Sequence, residues 1–187
     1  MNTIRTFTNK TIDLYSPTVE DIDIIDIAHA LSNLCRFSGH THTFYSVAQH
    51  SLLVSYLVPY NALRRVALLH DAAEAYLGDV VSPLKKMLNS SFQIDGGPAI
   101  YEELETAFNA VIAEKFGFLV SDLETVKHYD HMALELEQGY FFKGLSTVSR
   151  AENFARAFNH LDPCFTPEIA KETFLSTYKE LFNGLHR

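Results

Sequence analysis

The chain has 187 residues, one ordinary domain's worth and enough to bury a full core without disulfides or a structural metal. Apolar residues at 47%, charged residues at 20% and only 8 Gly and 6 Pro exclude a collagenous, linker-like or largely disordered chain. Lys plus Arg total 15 against 23 Asp plus Glu, a formal charge of −8, so nothing draws the chain to duplex nucleic acid or anionic lipid; any bound anion must be held locally.

In chain order, residues 3–15 carry Thr, Ile and Phe around Asn9-Lys10 and predict a short β-hairpin. Thr18 or Asp21 then caps a helix with apolar positions Ile24, Ile27, Leu31 and Leu34, ending near Arg36-Phe37-Ser38-Gly39. A second helix runs from about Ser46 to Leu57. A third follows Asn61 and stops before Gly78, and a short one starts after Ser82, where Pro83 suits a first turn. Asn89 to Gly97 reads as a loop, placed to act as a lid. From Pro98 the stripe Tyr101, Leu104, Phe108, Val111 and Ile112 predicts a helix closed by Gly117, and Ser121-Asp122-Leu123-Glu124 reads as a capping box opening a long helix toward Phe142. One helix covers about 148–159, and Thr166-Pro167 starts a last one carrying Ile169, Phe174, Tyr178 and Leu181. No repeat or composition break divides the chain, so the expectation is a single all-α domain over 1–187 with an N-terminal β-hairpin.

Cys35 and Cys164 form no metal or redox spacing, the N-terminus has no basic region followed by an apolar run, and no segment reaches the roughly 18 apolar residues of a membrane span. The expected setting is a reducing cytoplasm, away from membranes. Fourteen Phe and nine Tyr leave apolar area for a homo-oligomer.

Three helices each carry an ionisable residue where the apolar stripe calls for an aliphatic one. His50 lies among Val47, Val54 and Leu57; His70 follows Leu63, Val66 and Ala67; Asp130 sits among Leu123, Val126, Ala133 and Leu134. A buried charge is costly unless paired or metal-bound. One histidine alone is explained by a hydrogen bond to a core carbonyl, but four groups on three apolar faces, counting Asp71 beside His70, point to a shared partner. Two imidazoles and two carboxylates suit one borderline or hard divalent ion: Zn, Mn, Co, Fe(II) or Mg. Glu74, four residues after His70, falls on the same helix face, where it can reach a metal-bound water; its alternative is a solvated helix residue. Asp79, just past Gly78, is placed as a second working carboxylate or as a helix cap.

His50, His70-Asp71 and Asp130 resemble the H…HD…D signature of the HD superfamily of metal-dependent phosphohydrolases. The surrounding text, Cys35-Arg36-Phe37-Ser38-Gly39-His40-Thr41, Phe44-Tyr45-Ser46-Val47-Ala48-Gln49-His50-Ser51 and Leu69-His70-Asp71-Ala72-Ala73-Glu74-Ala75-Tyr76-Leu77-Gly78-Asp79 through Lys85, is similar to the branch of bacterial 5′-deoxynucleotidases and phage dATP triphosphohydrolases. The resemblance implies a helical bundle holding one metal through His50, His70, Asp71 and Asp130, with hydrolysis by its bound water. His128, two positions from Asp130 and off its face, is the only histidine between the HD pair and Asp130, so a second ion is expected only with a polyphosphate substrate. The same resemblance places Arg36 over the substrate, puts Lys85 and Lys127 on phosphates, makes Phe37 an aromatic wall against the sugar where relatives carry Trp, and lines the base pocket with Pro83. The alternatives are solvated surface charge for the lysines and Arg36, and a helix-start role for Pro83. His40 and His42, between Arg36 and His50, are not assigned to catalysis.

Glu74, Asp79 and Arg36 are thus the candidate catalytic residues, with Arg36, Phe37, Pro83, Lys85 and Lys127 binding substrate. The expected activity is removal of phosphate from 5′-(deoxy)nucleotides, tilted toward purine deoxynucleotides such as dATP or dAMP. The competing expectations are a non-catalytic nucleotide sensor and a hydrolase of a signalling nucleotide.

Overall fold

The computed structural model describes residues 2–91, 100–142 and 164–183. It is mostly helical with a two-stranded antiparallel sheet at the N-terminus, as expected. Strands β1 (Thr3–Arg5) and β2 (Thr11–Asp13) pair with Ile4 opposite Ile12, and Asn9 supplies the positive φ that the tight connection needs. Asp26 fastens this hairpin to the first helix by accepting from Thr8 N and Thr8 Oγ1, both at 2.7 Å.

Helix α1 (Ile24–Asn33) is capped by Asp23, whose carboxylate accepts from Ile25 N. Thr18 and Asp21, the expected caps, instead bond to each other in the preceding turn. Helix α2 (Val47–Leu57) begins at a reciprocal capping box between Ser46 and Gln49. Every residue from Val47 to Ser55 is buried, so α2 has no solvent face until Tyr56 near its C-terminal end. It is the central helix, packing on α1, α3 (Asn61–Leu69), α7 (Asp122–Phe141) and α8 (Pro167–Asn183). Its Ala48 and Leu52 join one apolar cluster with Ile27, Leu31, Phe108 and Phe174, while Leu53 and Val54 join a second with Val66, Val126 and Phe141.

The expected third helix is broken. After α3 the chain tightens into i→i−3 turns, with Ala72 N bonded to Leu69 O and Glu74 N to Asp71 O, before a single helical turn, α4 (Glu74–Leu77). His70 and Asp71 therefore sit at a helix end, where side chains can turn inward without clashing with a following turn. Gly78 (φ 82°, ψ 158°) ends α4 in a conformation that only glycine adopts easily.

Helix α5 (Ser82–Ser91) extends through Asn89 to Ser91, which corrects the start of the expected loop; its remainder, 92–97, and Pro98 lie outside the described residues. Helix α6 (Ile100–Phe116) ends at Gly117 (φ 70°) as expected. Helix α7 (Asp122–Phe141) lacks the expected capping box: Ser121 makes no side-chain cap, and Asp122 folds back to accept from Leu119 N. On α8, Phe174 and Leu181 are buried, but Ile169 is exposed and belongs to no core stripe. The expected helix over 148–159 lies outside the described residues.

Candidate metal centre

Three elements bring the site together: α2 supplies His50, the turn after α3 supplies His70 and Asp71, and α7 supplies Asp130. His50 Nε2 lies 3.0 Å from Asp130 Oδ1 and 3.6 Å from Asp71 Oδ2; His70 Nε2 lies 3.3 Å from Asp71 Oδ2 and 3.9 Å from Asp130 Oδ1. One ligand atom from each of His50, His70 and Asp71 falls within 4.8 Å of the others, so this group can hold a metal ion. Ligands bound tetrahedrally at about 2.1 Å stand about 3.4 Å apart, the middle of the spread between these imidazole and carboxylate atoms.

The hydrogen bonds behind the rings fit the same use. His50 Nδ1 donates to Glu137 Oε1 at 2.6 Å and His70 Nδ1 donates to the Ala67 carbonyl at 2.7 Å. Each ring thus spends its Nδ1 proton outward and turns Nε2 toward the shared point, the orientation that metal-bound imidazoles take. Both Nε2 atoms are buried, and each faces a carboxylate oxygen, Asp130 Oδ1 at 3.0 Å from His50 and Asp71 Oδ2 at 3.3 Å from His70. A divalent ion would satisfy both at once.

Electrostatics bind the cluster further. Burial opposes the charge on Asp71, but His70, His50 and Arg36 outweigh it and hold the carboxyl well below the usual range. Asp130 is likewise lowered, by His50 first, against burial. Burial and Arg36 pull His50 down, yet Glu137 and Asp130 prevail and push it up to about 9.

Asp71 and Asp130 open onto a cavity of about 800 Å³, within the range of small-molecule sites. Arg36, Phe37, Glu74, Asp79, Pro83 and Lys85 all line it, as do His40 and, unforeseen from sequence, Gln138 and Phe142. Arg36 arrives there because Arg36 N bonds to Tyr45 O and Cys35 bridges to Ser46, pinching the loop closed at the head of α2. The next residues, Phe37 (φ 53°) and Ser38 (φ 51°), both take the left-handed conformation, a cost of about 1–2 kcal/mol each for non-glycine residues. That turn sets the Phe37 ring edge-on to Phe142, centroids 5.2 Å apart, with the Arg36 guanidinium 5.4 Å from the Phe37 centroid.

Glu74 is pushed well up by burial and by Asp71 and Asp79, and Asp79 is raised chiefly by burial. Lys85 Nζ bonds to Glu105 at 2.7 Å and lies 3.6 Å from Glu74. Lys127 is not brought to the cavity: it is 68% exposed and pairs with Glu124 at 2.7 Å, one turn back along α7. His42 faces Phe141 and Tyr140, and His128 is exposed against Tyr129, off the Asp130 face as expected.

Sequence reading passed over Glu137, which is fully buried and touches Tyr45, His50 and Arg36. The signal was present: Glu137 follows Asp130 by seven residues, two helical turns, on the face that carries Val126 and Ala133.

Fold and cluster together define a mostly helical protein with a two-histidine, one-aspartate group, His50 buried and His70 and Asp71 partly so, able to hold a metal ion; among the described residues no helix is long and apolar enough to cross a membrane. No profile of a known protein family matches the chain. It is 38% identical over 161 residues to the uncharacterized protein YfdR of Escherichia coli (strain K12), covering 82% of this chain and 84% of YfdR. It is also 37% identical over 121 residues to an uncharacterized protein of Rhodobacter capsulatus, covering 60% of this chain and 57% of that relative. The chain belongs to the same family as YfdR.

Proposed function

We propose that this protein is a metal-dependent phosphohydrolase of the HD superfamily, acting on 5′-(deoxy)nucleotides and favouring purine deoxynucleotides such as dATP or dAMP. The observation that carries this reading is the convergence of two imidazole Nε2 atoms on two carboxylates, Asp71 and Asp130, that line a cavity also holding a largely buried arginine. His50, His70, Asp71 and Asp130 would hold the ion. Charge balance supports its presence: the carboxyls lining the cavity, Asp71, Glu74, Asp79 and Asp130, outnumber its two cations, Arg36 and Lys85, and Asp71 and Asp130 are held ionised at the point where a divalent cation would offset them. When bound, such an ion supplies Lewis acidity and lowers the pKa of a coordinated water.

The chain's own residues divide the remaining work. Arg36, whose charge Glu137 and Asp71 stabilise against burial, offers a fixed guanidinium to phosphoryl oxygens. Glu74, a carboxyl raised by burial and by its acidic neighbours, is suited to take a proton from water and return it to the leaving oxygen. Asp79 orients water from the same wall. Phe37 and Phe142 form an apolar corner for sugar or base, and Pro83 lines the cavity beside Lys85.

The test is phosphate release from a panel of deoxynucleoside mono- and triphosphates, with metal content measured, for the wild type and Asp71→Ala. Wild-type turnover with a bound divalent ion, both lost in the variant, supports the reading. A metal-free wild type, or release unchanged in Asp71→Ala, refutes it.

A further inference from the structure

Glu137 is fully buried and engaged on three sides. Its Oε1 accepts from the Tyr45 hydroxyl at 2.9 Å and from His50 Nδ1 at 2.6 Å, while Oε2 lies 3.1 Å from Arg36 Nη2. A carboxylate at this depth is strongly unfavourable without such partners, and burying apolar side chains of similar volume instead is in general neutral or better for stability. Asp130 and Glu137 share a face of α7, so one helix addresses both nitrogens of a single imidazole: Asp130 at Nε2, Glu137 at Nδ1. The same carboxylate reaches Arg36, whose other terminal nitrogen, Nη1, lies 3.7 Å from Asp71.

We propose that Glu137 is a positioning residue that joins the metal ligand His50 and the phosphate-facing Arg36 into one unit, so that metal affinity and substrate placement depend on a single buried carboxylate. This rests on the metal-hydrolase reading above and extends it. By accepting the Nδ1 proton, Glu137 selects the tautomer whose Nε2 lone pair faces Asp71 and Asp130, and it strengthens that nitrogen as a donor. By pairing with Nη2 it fixes the guanidinium plane and leaves Nη1 toward Asp71 and the cavity. Tyr45, just ahead of the α2 cap, holds the carboxylate from the far side.

The experiment compares the wild type, Glu137→Gln and Tyr45→Phe in three measurements: affinity for Mn(II) and Zn(II) by competition with a chromophoric chelator, KM and kcat for phosphate release at saturating metal, and the urea midpoint. The glutamine keeps the shape and an acceptor for His50 but cannot hold the charge of Arg36. We expect Glu137→Gln to lose about 10- to 100-fold in ion affinity and to show a raised KM even when saturated with metal. Tyr45→Phe, which leaves the carboxylate and its ion pair intact, moves both in the same direction by less. Loss of urea resistance with wild-type ion affinity and KM overturns the proposal, because a purely structural residue would behave in that way. If Glu137→Gln does not fold, Tyr45→Phe decides alone, and unchanged affinity and KM there overturn it. A wild type that takes up neither ion overturns the underlying metal reading instead, which separates the two failures.

Discussion

Replacing Arg36 with Met removes a guanidinium 3.1 Å from Glu137 Oε2 and 3.7 Å from Asp71 Oδ2 while keeping most of the side chain's apolar length. Glu137 is fully buried, so its charge cannot pass to water when the partner leaves. Removing one member of such a pair costs about 3–5 kcal/mol, most of it the penalty of a buried charge that keeps Tyr45 and His50 but loses its arginine. The surface pair Lys127–Glu124 sets the opposite scale: its 2.7 Å contact is shorter, but both side chains are about two-thirds exposed, and Lys127→Ala should cost no more than about 0.5 kcal/mol. Burial, not distance, decides which pair matters.

The Arg36→Met deficit also has a pH signature. Burial pushes Glu137 up, but Arg36 first and His50 next outweigh it and hold the carboxyl below its ordinary value. A carboxyl lowered by folding contributes stability that is present above its unfolded value and lost as pH falls through the folded one. Without Arg36 the folded value rises, Glu137 takes up a proton at higher pH, and the variant regains stability on mild acidification. Urea denaturation in the presence of a chelator should therefore show a deficit of about 3–5 kcal/mol at pH 7 that shrinks at pH 5. A deficit below about 1 kcal/mol at pH 7, or one equal at both pH values, would refute the reasoning.

Because His50 is pushed up to about 9, an ion binding there displaces a proton near neutral pH. Apparent metal affinity, measured by chelator competition, should rise about tenfold per pH unit from 7 toward 9. The metal-free protein should behave in the opposite sense: stability contributed by protonated His50 is fully present below its unfolded value of about 6.5 and lost as pH rises through about 9, visible as a falling thermal midpoint in EDTA. Gly78→Ala should destabilise by about 1–3 kcal/mol although nothing lies within 4 Å of the added Cβ, because the cost is the backbone conformation alone; chemical denaturation reads it. Asp26→Ala leaves Thr8 N without its acceptor and should cost about 1–3 kcal/mol, with new proteolytic cleavage in residues 6–10 and unchanged metal uptake.

Helical class, the N-terminal hairpin and some of the inward-facing polar residues were legible from periodicity and spacing, because a 3.6-residue repeat marks which side chains share a face. His50 and Asp130 showed themselves as ionisable residues within apolar stripes, and Gly117 as a helix stop. Burial on every side of α2 from Val47 to Ser55 was not legible, since no one-faced stripe marks a central helix; its Gln49, Ser51 and Ser55 look like a solvent face until neighbouring helices cover them. Nor was the break after Leu69, where local propensity favours one continuous helix. Packing of α2 against α3 and α7 instead places His70 and Asp71 at a helix end and turns both toward His50. The partners of Glu137 come from positions 36, 45 and 50, at least 87 residues away in the chain. Periodicity assigns a residue to a face, but what that face meets depends on long-range packing, and tertiary structure alone decided that a buried glutamate stands behind both a histidine and an arginine.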